Sequence, residues 1–280
     1  MITFSQRLQT RKRVWWGGLG SGRPLHRIAE LAVRRSRDEP DARWHCCAHW
    51  QRRLSNKWNG REFALKHGMR VPALYWYGRR TAALPIASLP PQFVIRPVHG
   101  AGGRGVHVVA GDRELLHGVA LPRADVRQAL RQAFGRLSRW PLLVEEFARG
   151  EDGSLGLPTE YKCYAFGGSV AVIQVVQRTR QHAARHRFYA PDWTPIDDHV
   201  QTDNPLAPLG EPPRCLDEIL RGASALGAAC GTFMRVDCFA TDSGCLFDEF
   251  ATTPNDGRGF TAYADAYLGD LWQRTFPDCT

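Results

Sequence analysis

The feature that most constrains this sequence is a glycine-rich turn between two short apolar runs, in the stretch FVIRPVHGAGGRGVHVV at residues 93–109. Apolar residues on both sides of the turn predict two paired strands. The glycine loops of dinucleotide-binding folds lead into a helix, whereas here a second strand follows. The stretch therefore predicts a β-hairpin whose tip offers backbone N–H groups to an anion with little side-chain obstruction. An ordinary glycine-rich hairpin is the alternative for this stretch taken alone.

Helical and extended patterns are mixed along the rest of the chain, and hairpins dominate its second half. This order predicts an α+β fold, because alternating βαβ units would follow each strand with a helix. The predicted helices cover residues 26–36, 44–68, 123–138, 215–230 and the C-terminal end, and the predicted strands cover 71–78, 93–95, 106–109, 141–150, 160–166, 169–179, 232–241 and 245–254. The polar segment 180–214 is predicted to be a long functional loop or lid.

The charge of the chain favours anionic partners. It carries 37 Lys and Arg residues against 28 Asp and Glu residues, a net charge of +9, and only four of the cations are lysines. Guanidinium groups bind carboxylates and phosphates through paired hydrogen bonds, so a nucleotide or an acidic substrate fits this excess. Nucleic acid is not expected as a partner. Aromatic residues interleave with arginine only at 11–16 and 44–58, where helix packing explains them.

Signals of export and membrane insertion are not evident in the sequence. There is no apolar run long enough for a transmembrane helix, and the N-terminal stretch MITFSQRLQTRKRVWWGGLG lacks the apolar core of a signal peptide. We therefore expect a cytoplasmic protein whose eight cysteines are reduced thiols. Two histidine pairs, His45 with His49 and His182 with His186, have a spacing that would suit zinc on a helix. Neither has an evident third ligand, so a plain surface role is favoured.

A second predicted hairpin, MRVDCFATDSGCLFDEF at residues 234–250, carries acidic residues inside its strands. Asp237 lies on one strand and Glu249 on the other, and side chains facing one way on paired strands converge. Two converging carboxylates are costly unless they hold a cation, and their hard oxygens suit Mg²⁺. Arg235 precedes Asp237 by two residues and therefore faces the same side, where it could stabilise a phosphoryl group. A solvated hairpin with chance acidic residues is the alternative.

Six stretches of the sequence, in order over about residues 57–260, resemble the motifs of the ATP-grasp enzymes. The resemblance is to the branch similar to the teichuronopeptide biosynthesis protein TupA. The six stretches are NKWNGREFALKHG, FVIRPVHGAGGRGV, LLVEEF, EYKCYAFGG, RHRFYAPDW and MRVDCFATDSGCLFDEFATTPNDG. Each motif alone is moderately specific, and their common order carries the resemblance.

The resemblance implies an ATP-grasp fold, in which a nucleotide cleft lies between two α+β subdomains that follow an N-terminal helical segment. The implied division places the N-terminal segment at residues 1–90. The small subdomain with the glycine-rich hairpin is expected at 91–144, and the C-terminal subdomain with the metal hairpin at 145–280.

The resemblance also implies a site for ATP and Mg²⁺. Arg96 and the loop residues His99, Gly100, Gly102, Gly103 and Gly105 would bind the phosphates, Glu145, Glu146 and Phe147 would form the adenine hinge, and Glu160 would bind the ribose. Lys162, Arg178 and Arg235 would act in catalysis by neutralising phosphate charge, with Lys162 also binding the cofactor. Asp237, Glu249 and Asn255 would be the metal ligands.

Two positions depart from the family's pattern. Arg96 stands where the family usually has lysine; it keeps the charge but is bulkier and less like a point charge. Ala251 stands two residues after Glu249, where many members have a metal-binding asparagine. Asn255 or a backbone group would have to substitute there to complete a second Mg²⁺ site.

The implied activity is ATP- and Mg²⁺-dependent ligation of a carboxylate to an amine through an acyl phosphate, in the biosynthesis of a polysaccharide, peptide or other secondary product. An anionic carboxylate substrate and an amine acceptor are the implied partners. Two alternatives stay open at this point. One is an ATP-grasp phosphotransferase acting on a sugar hydroxyl, and the other is a catalytically weak relative that binds glycan or nucleic acid.

Overall fold

The computed structural model describes residues 2–17, 33–100, 102–196, 200–202 and 204–277. In these ranges the α-helices are α1 Phe4–Gly17, α2 Asp41–Trp44, α3 Lys57–Lys66, α4 Val126–Phe134, α5 Leu216–Cys230 and α6 Ala262–Thr275. The strands are β1 Leu74–Arg80, β2 Gln92–Pro97, β3 His107–Ala110, β4 Arg113–Glu114, β5 Val119–Ala120, β6 Leu137–Glu146, β7 Glu160–Phe166, β8 Ser169–Arg180, β9 Ala183–Tyr189, β10 Phe233–Thr241 and β11 Gly244–Ala251. Short 3₁₀ helices occupy Trp50–Ser55, Thr81–Ala83, Ile86–Ser88, Arg123–Asp125 and Pro254–Gly257.

The strands form two sheets, and every strand pairing within them is antiparallel. The first sheet has the order β1-β6-β2-β3-β4-β5, and the second has the order β11-β10-β7-β8-β9. The glycine-rich stretch joins β2 to β3 as a hairpin, as the sequence predicts. The chain therefore has the expected α+β architecture. The proposed division at residues 90/91 and 144/145 stays a prediction.

The first sheet has an outer face buried by a helix and an inner face with its own small apolar cluster. Phe93, Ile95 and Val109 point outward and pack with Val126 and Leu130 of α4. On the opposite side, Val108 packs with Phe147 and Leu116. The alternation of side chains along β2 and β3 accounts for this division, since neighbouring residues face opposite sides.

The second sheet is covered over most of one face and over part of the other. Helix α5 packs on the first of these faces through Ile219, Ala223 and Leu226. The packing is so close that a Cβ on Gly227 would lie 2.2 Å from the carbonyl oxygen of Gly167, which excludes any larger residue there. On the other face, α1 and α6 cover the end of the sheet that carries Tyr164, Phe166 and Phe233. The remaining part of this face carries the charged residues described below.

Two neighbouring predicted elements, the helix at 123–138 and the strand at 141–150, have different bounds from those observed. The helix predicted at 123–138 ends at Phe134, because Gly135 has a φ of 72° and breaks the helical backbone. Leu137, expected on the apolar face of that helix, instead begins β6 and is 56% exposed. The strand predicted at 141–150 therefore begins earlier and ends at Glu146.

The polar segment 180–214 is less of a free loop than predicted. It contains β9, in which buried His186 and Phe188 alternate with more exposed residues. After β9 the chain packs back on the sheet, where Trp193 stacks on Tyr189 with ring centroids 4.2 Å apart. Frequent arginine and histidine residues obscure the alternation of this strand in the sequence.

Neither histidine pair has the helical geometry that its spacing would need for zinc. His45 follows the end of α2, and His49 has a φ of 58°. His186 lies in β9, and His182 lies in the turn before it.

Most of the helix predicted at 26–36 lies outside the described residues, and 33–36 have no regular structure. Within the described part of the chain, helices fall short of the length and apolarity needed to span a bilayer.

Candidate active site

A row of polar side chains crosses the uncovered part of the second sheet. In the register of the strands, Glu249 of β11 lies opposite Asp237 of β10, Asp237 lies opposite Lys162 of β7, and Lys162 lies opposite Gln174 of β8. Directly opposed residues share a face of the sheet, so this row places two carboxylates and a lysine side by side. The predicted pairing of Asp237 with Glu249 across the hairpin is confirmed.

Three cations hold two of the carboxylates on this face. Arg235 donates two hydrogen bonds to Asp237, from Nε to Oδ1 and from Nη2 to Oδ2, both 2.7 Å long. Lys162 Nζ lies 3.2 Å from Asp237 Oδ2 and 2.8 Å from Glu160 Oε2. Arg178 Nε lies 3.0 Å from Glu160 Oε1. Charged groups that are removed from water need partners of opposite charge. Removing one member of a buried ion pair typically destabilises the folded protein by about 3–5 kcal/mol, because the other charge is left unpaired.

The first sheet and α3 bring two more cations to the same place. Arg96 of β2 lies 2.7 Å from Glu145 Oε2 through Nε, and 2.5 Å from Asp248 Oδ1 through Nη1. Lys57, at the start of α3, lies 2.6 Å from Glu249 Oε2. Arg96 and Lys57 therefore contact the β10–β11 hairpin of the second sheet from outside it, and the charged cluster lies between the two sheets.

A β-bulge explains how two consecutive acidic residues both join this cluster. Asp237 pairs with Glu249, but the next residue, Cys238, pairs with Phe247, so Asp248 is an extra residue in β11. Strict alternation would send Asp248 to the far face, whereas a bulge re-aims the side chain. Asp248 and Glu249 consequently both contact cations in the cleft.

The two neighbouring carboxyl groups titrate differently. Burial opposes ionisation of Glu249, but Lys57, Lys162 and Arg96 outweigh it and lower its pKa to about 2. Burial dominates at Asp248 and raises its pKa to about 6, against the attraction of Arg96. Burial also disfavours the charge on Lys162, but Asp237 and Glu160 raise its pKa above the ordinary lysine value. At neutral pH Glu249 is thus ionised and Lys162 is protonated.

The described residues of the glycine loop, 99–100 and 102–105, contact α3 and the second sheet beside the charged cluster. Its described glycines all have positive φ angles, 154° at Gly100, 65° at Gly102, 70° at Gly103 and 71° at Gly105. The tip lies against the turn between β8 and β9, where Gln181 Nε2 donates to the carbonyl oxygen of Gly103 at 3.2 Å. At the other end of the loop, the carbonyl oxygen of Gly100 accepts from Lys57 Nζ at 3.3 Å.

Replacing each of two of these glycines by alanine distinguishes the cost of backbone strain from the added cost of a steric clash. Both Gly102→Ala and Gly105→Ala force an L-residue to a positive φ, which costs about 1–2 kcal/mol. A Cβ at 105 would also lie 2.9 Å from the Phe134 ring, whereas nothing lies within 4 Å of one at 102. We expect Gly105→Ala to reduce the free energy of unfolding more than Gly102→Ala in urea denaturation. Equal losses would show that the Phe134 ring moves aside freely.

The predicted hinge, Glu145 to Phe147, lies at the end of β6, where the chain leaves the first sheet. Glu145 is buried beneath Arg96, and its Oε1 lies 3.5 Å from Arg61 of α3. Glu146 exchanges hydrogen bonds with the backbone of Ala73, and a cavity of about 240 Å³ borders Glu146 and Phe147. Other residues lining the cavity include Tyr75, Pro90, Gln92, Thr241 and Ser243.

Most of the predicted site residues are brought together, and one lies elsewhere. The charged cluster contains Arg96, Glu145, Glu160, Lys162, Arg178, Arg235, Asp237 and Glu249. His99, at the start of the loop, packs edge-on against Trp140. Asn255 lies in an exposed turn whose Asp256 pairs with Lys12 of α1 and whose Gly257 approaches Ser5 and Leu8. Its role as a metal ligand stays a prediction.

Three members of the cluster were not among the predicted site residues: Lys57, Arg61 and Asp248. The stretch NKWNGREFALKHG was matched to a family motif, and its charged residues at 57 and 61 were a usable signal. No comparable signal marked Asp248, because only the bulge in β11 turns it into the cleft.

Comparison with known proteins gives a family and several distant structures. The sequence model for the family described as TupA-like ATPgrasp matches residues 66–273. No curated protein sequence matches the chain significantly. A D-alanine–D-alanine ligase from Bacillus anthracis, crystallised with ATP, has a TM-score of 0.49 and 15% identity over 81% of this chain and 63% of its own.

Two further structures are similarly distant. The ATP-grasp ligase PsnB with its minimal precursor has a TM-score of 0.46 and 14% identity, over 80% of this chain and 61% of its own. An L-amino acid ligase from Bacillus licheniformis has a TM-score of 0.42 and 18% identity, over 74% of this chain and 42% of its own. This chain thus spans less than two thirds of the length of each of the three. The family match extends from the last turn of α3 to α6 and includes both sheets. The chain belongs to the TupA-like ATP-grasp family.

Proposed function

We propose that this chain binds Mg-ATP between its two sheets and uses it to join a carboxylate to an amine. The observation that carries the proposal is the row of Glu249, Asp237 and Lys162 with Arg235 beside it. This row offers carboxylates for a divalent cation next to cations for phosphate, which phosphoryl transfer requires. Membership of an ATP-grasp family supports the nucleotide assignment.

The donor set fits Mg²⁺. Asp237 and Glu249 are opposed carboxylates, and Mg²⁺ prefers carboxylate oxygens that it shares with substrate phosphates. Glu249 keeps 30% of its side chain exposed, so it can be reached from the cleft. When bound, the metal would neutralise charge on the phosphates and polarise the transferred phosphoryl group.

The cations of the cluster are proposed to exchange their present partners for phosphate oxygens. Arg96 and Lys162 each contact two carboxylates in this structure. When ATP enters with Mg²⁺, its phosphate oxygens would take the place of some of these carboxylate contacts. The glycine loop would present N–H groups to the phosphates. The cavity beside Glu146 and Phe147 supports an adenine site at the hinge.

The proposed reaction has two steps. An oxygen of the substrate carboxylate attacks the γ-phosphorus of ATP, the bond to the β-phosphate oxygen breaks, and ADP leaves. The amine then attacks the carbonyl carbon of the acyl phosphate, inorganic phosphate leaves, and the nitrogen loses a proton. Arg235 would stabilise the charge on the transferred group, while positioning by the surrounding residues supplies most of the rate.

The reaction class can be tested by trapping the acyl phosphate with hydroxylamine. We would incubate the full chain with ATP, Mg²⁺, hydroxylamine and either a panel of amino acids and acidic dipeptides or a panel of sugars, and measure ADP, hydroxamate and sugar phosphate. A ligase should form hydroxamate and ADP together, and only with an accepted acid. Phosphorylation of a sugar hydroxyl without hydroxamate would instead support the phosphotransferase alternative and contradict the proposal.

A further inference from the structure

Three metal-ligating side chains meet on the outer face of the first sheet, away from the charged cleft. They are His107 at the start of β3, Glu114 in β4 and His117 in the turn that follows. One ligand atom from each lies within 4.8 Å of the other two. His107 lies opposite Ile95, and Glu114 lies opposite Val109, so both belong to the face that packs against α4.

The backbone fixes the carboxylate of Glu114 in place. The residue is 1% exposed, and its Oε1 accepts hydrogen bonds from the backbone N–H groups of Val108 and Leu116, at 2.8 and 3.1 Å. Its Oε2 accepts from the backbone N–H of His117 at 2.8 Å, and the Nδ1 atom of the same histidine lies 2.5 Å away. A buried carboxylate is thus held with one oxygen against an imidazole.

The ring of the second histidine, His107, is positioned by its aromatic neighbours. It packs edge-on against Phe134, with centroids 6.0 Å apart, and lies 5.8 Å from the ring of His117. Two imidazole rings therefore lie beside the fixed carboxylate of Glu114, with one ligand atom from each residue inside the same small volume.

We propose that His107, Glu114 and His117 form a binding site for a transition metal of the Zn²⁺ class, with a fourth position open to solvent. Two imidazole nitrogens and one carboxylate oxygen are a donor set that suits Zn²⁺, whereas Mg²⁺ prefers oxygen alone. The ion would take the place of the direct contact between His117 Nδ1 and Glu114 Oε2.

The required movement is small. Metal–ligand bonds of about 2.0–2.2 Å in a tetrahedron separate the ligand atoms by roughly 3.3–3.5 Å. The 2.5 Å contact between His117 Nδ1 and Glu114 Oε2 must therefore lengthen, while all three ligand atoms already lie within 4.8 Å of one another. His117 is 39% exposed and has room to rotate, while Glu114 stays fixed by the backbone.

The position of the site links it to the glycine loop. His107 follows the loop directly, and Leu116, between the other two ligands, accepts a hydrogen bond from the backbone N–H of Gln181 at 2.8 Å. Gln181 also holds Gly103 at the loop tip. A bound ion would therefore brace the base of the loop and the turn that contacts the second sheet.

The test is a titration of the full chain with Co²⁺, with millimolar Mg²⁺ present, followed by visible absorption. We expect the bands of a four-coordinate nitrogen and oxygen site, displaced by Zn²⁺. His117→Ala removes an exposed ligand with little risk to folding. It should weaken Co²⁺ binding at least about tenfold, because losing a group that only hydrogen-bonds to a metal ligand already weakens metal binding by about that factor. His107→Gln should do the same. His182→Ala, at an exposed histidine outside the cluster, should not.

A second readout is the melting temperature, which Zn²⁺ should raise in the unaltered chain and in His182→Ala but not in His117→Ala. Equal Co²⁺ affinity in the unaltered chain and in His117→Ala would overturn the proposal. A thiolate-to-cobalt charge-transfer band would also overturn it, because it would assign the ion to cysteine, for example exposed Cys46. Either result leaves the proposed nucleotide chemistry untouched.

Discussion

Replacing Glu249 by glutamine should lower ATP turnover at least about 100-fold, the equivalent of about 2.7 kcal/mol in transition-state stabilisation. The amide keeps the size of the side chain but removes the charge that would hold Mg²⁺ beside the phosphates. A residual reaction should need a higher Mg²⁺ concentration than the unaltered enzyme. The rate of ADP release as a function of Mg²⁺ measures both effects.

The same substitution also removes the partner of buried Lys57, so stability has to be followed in parallel. Glu211→Gln is the matched control, because Glu211 is an exposed glutamate outside the cluster. Asp237→Asn should lower turnover as well, but it also disrupts the bidentate contact with Arg235 and is expected to be less stable. A Glu249→Gln variant that is less stable yet has normal turnover and Mg²⁺ dependence would refute the metal assignment.

Replacing Lys162 by methionine should raise the Michaelis constant for ATP or lower turnover at least about tenfold, the equivalent of roughly 1.4 kcal/mol. Loss of a lysine from an exposed ion pair would change the melting temperature little, because such a pair contributes at most about 1 kcal/mol. Lys162 is 13% exposed and lies between Glu160 and Asp237, so its removal leaves the buried Asp237 and the partly buried Glu160 short of a cation. We now expect the melting temperature to fall too.

Lys66→Met separates the two effects of the Lys162 substitution. Lys66 pairs with Asp41 outside the cleft, and its loss should leave ATP kinetics unchanged. If Lys162→Met lowers only the melting temperature and keeps normal ATP kinetics, Lys162 has a structural role and the assignment of its neighbours is weakened.

The parts of the site that follow from strand alternation were predictable from the sequence. Arg235 and Asp237 share a face because they are two residues apart in one strand, and Glu249 faces them because the turn between the strands is short. The same reasoning placed Glu160 and Lys162 side by side on β7. Local spacing was sufficient for each of these.

The remaining parts depend on contacts between segments that are distant in sequence. Lys57 reaches Glu249 only because α3 packs beside β11 at the edge of the second sheet. Asp248 joins the cluster through a β-bulge, and no glycine or other turn residue at that position in the sequence indicates the bulge. The sequence does not predict the strand that contains His186, because a histidine does not read as a buried residue in the pattern. In the structure this histidine is buried with hydrogen-bond partners, including Gln174 at 3.3 Å.

Calorimetric titration of the full chain with a non-hydrolysable ATP analogue tests the central claim most directly. With Mg²⁺ present, we predict saturable binding of one nucleotide per chain. The binding should weaken when Mg²⁺ is omitted, and the effect of Mg²⁺ should be reduced in Glu249→Gln. An absence of binding in the presence of Mg²⁺, by a chain that is folded in the same buffer, would contradict a nucleotide site between the two sheets.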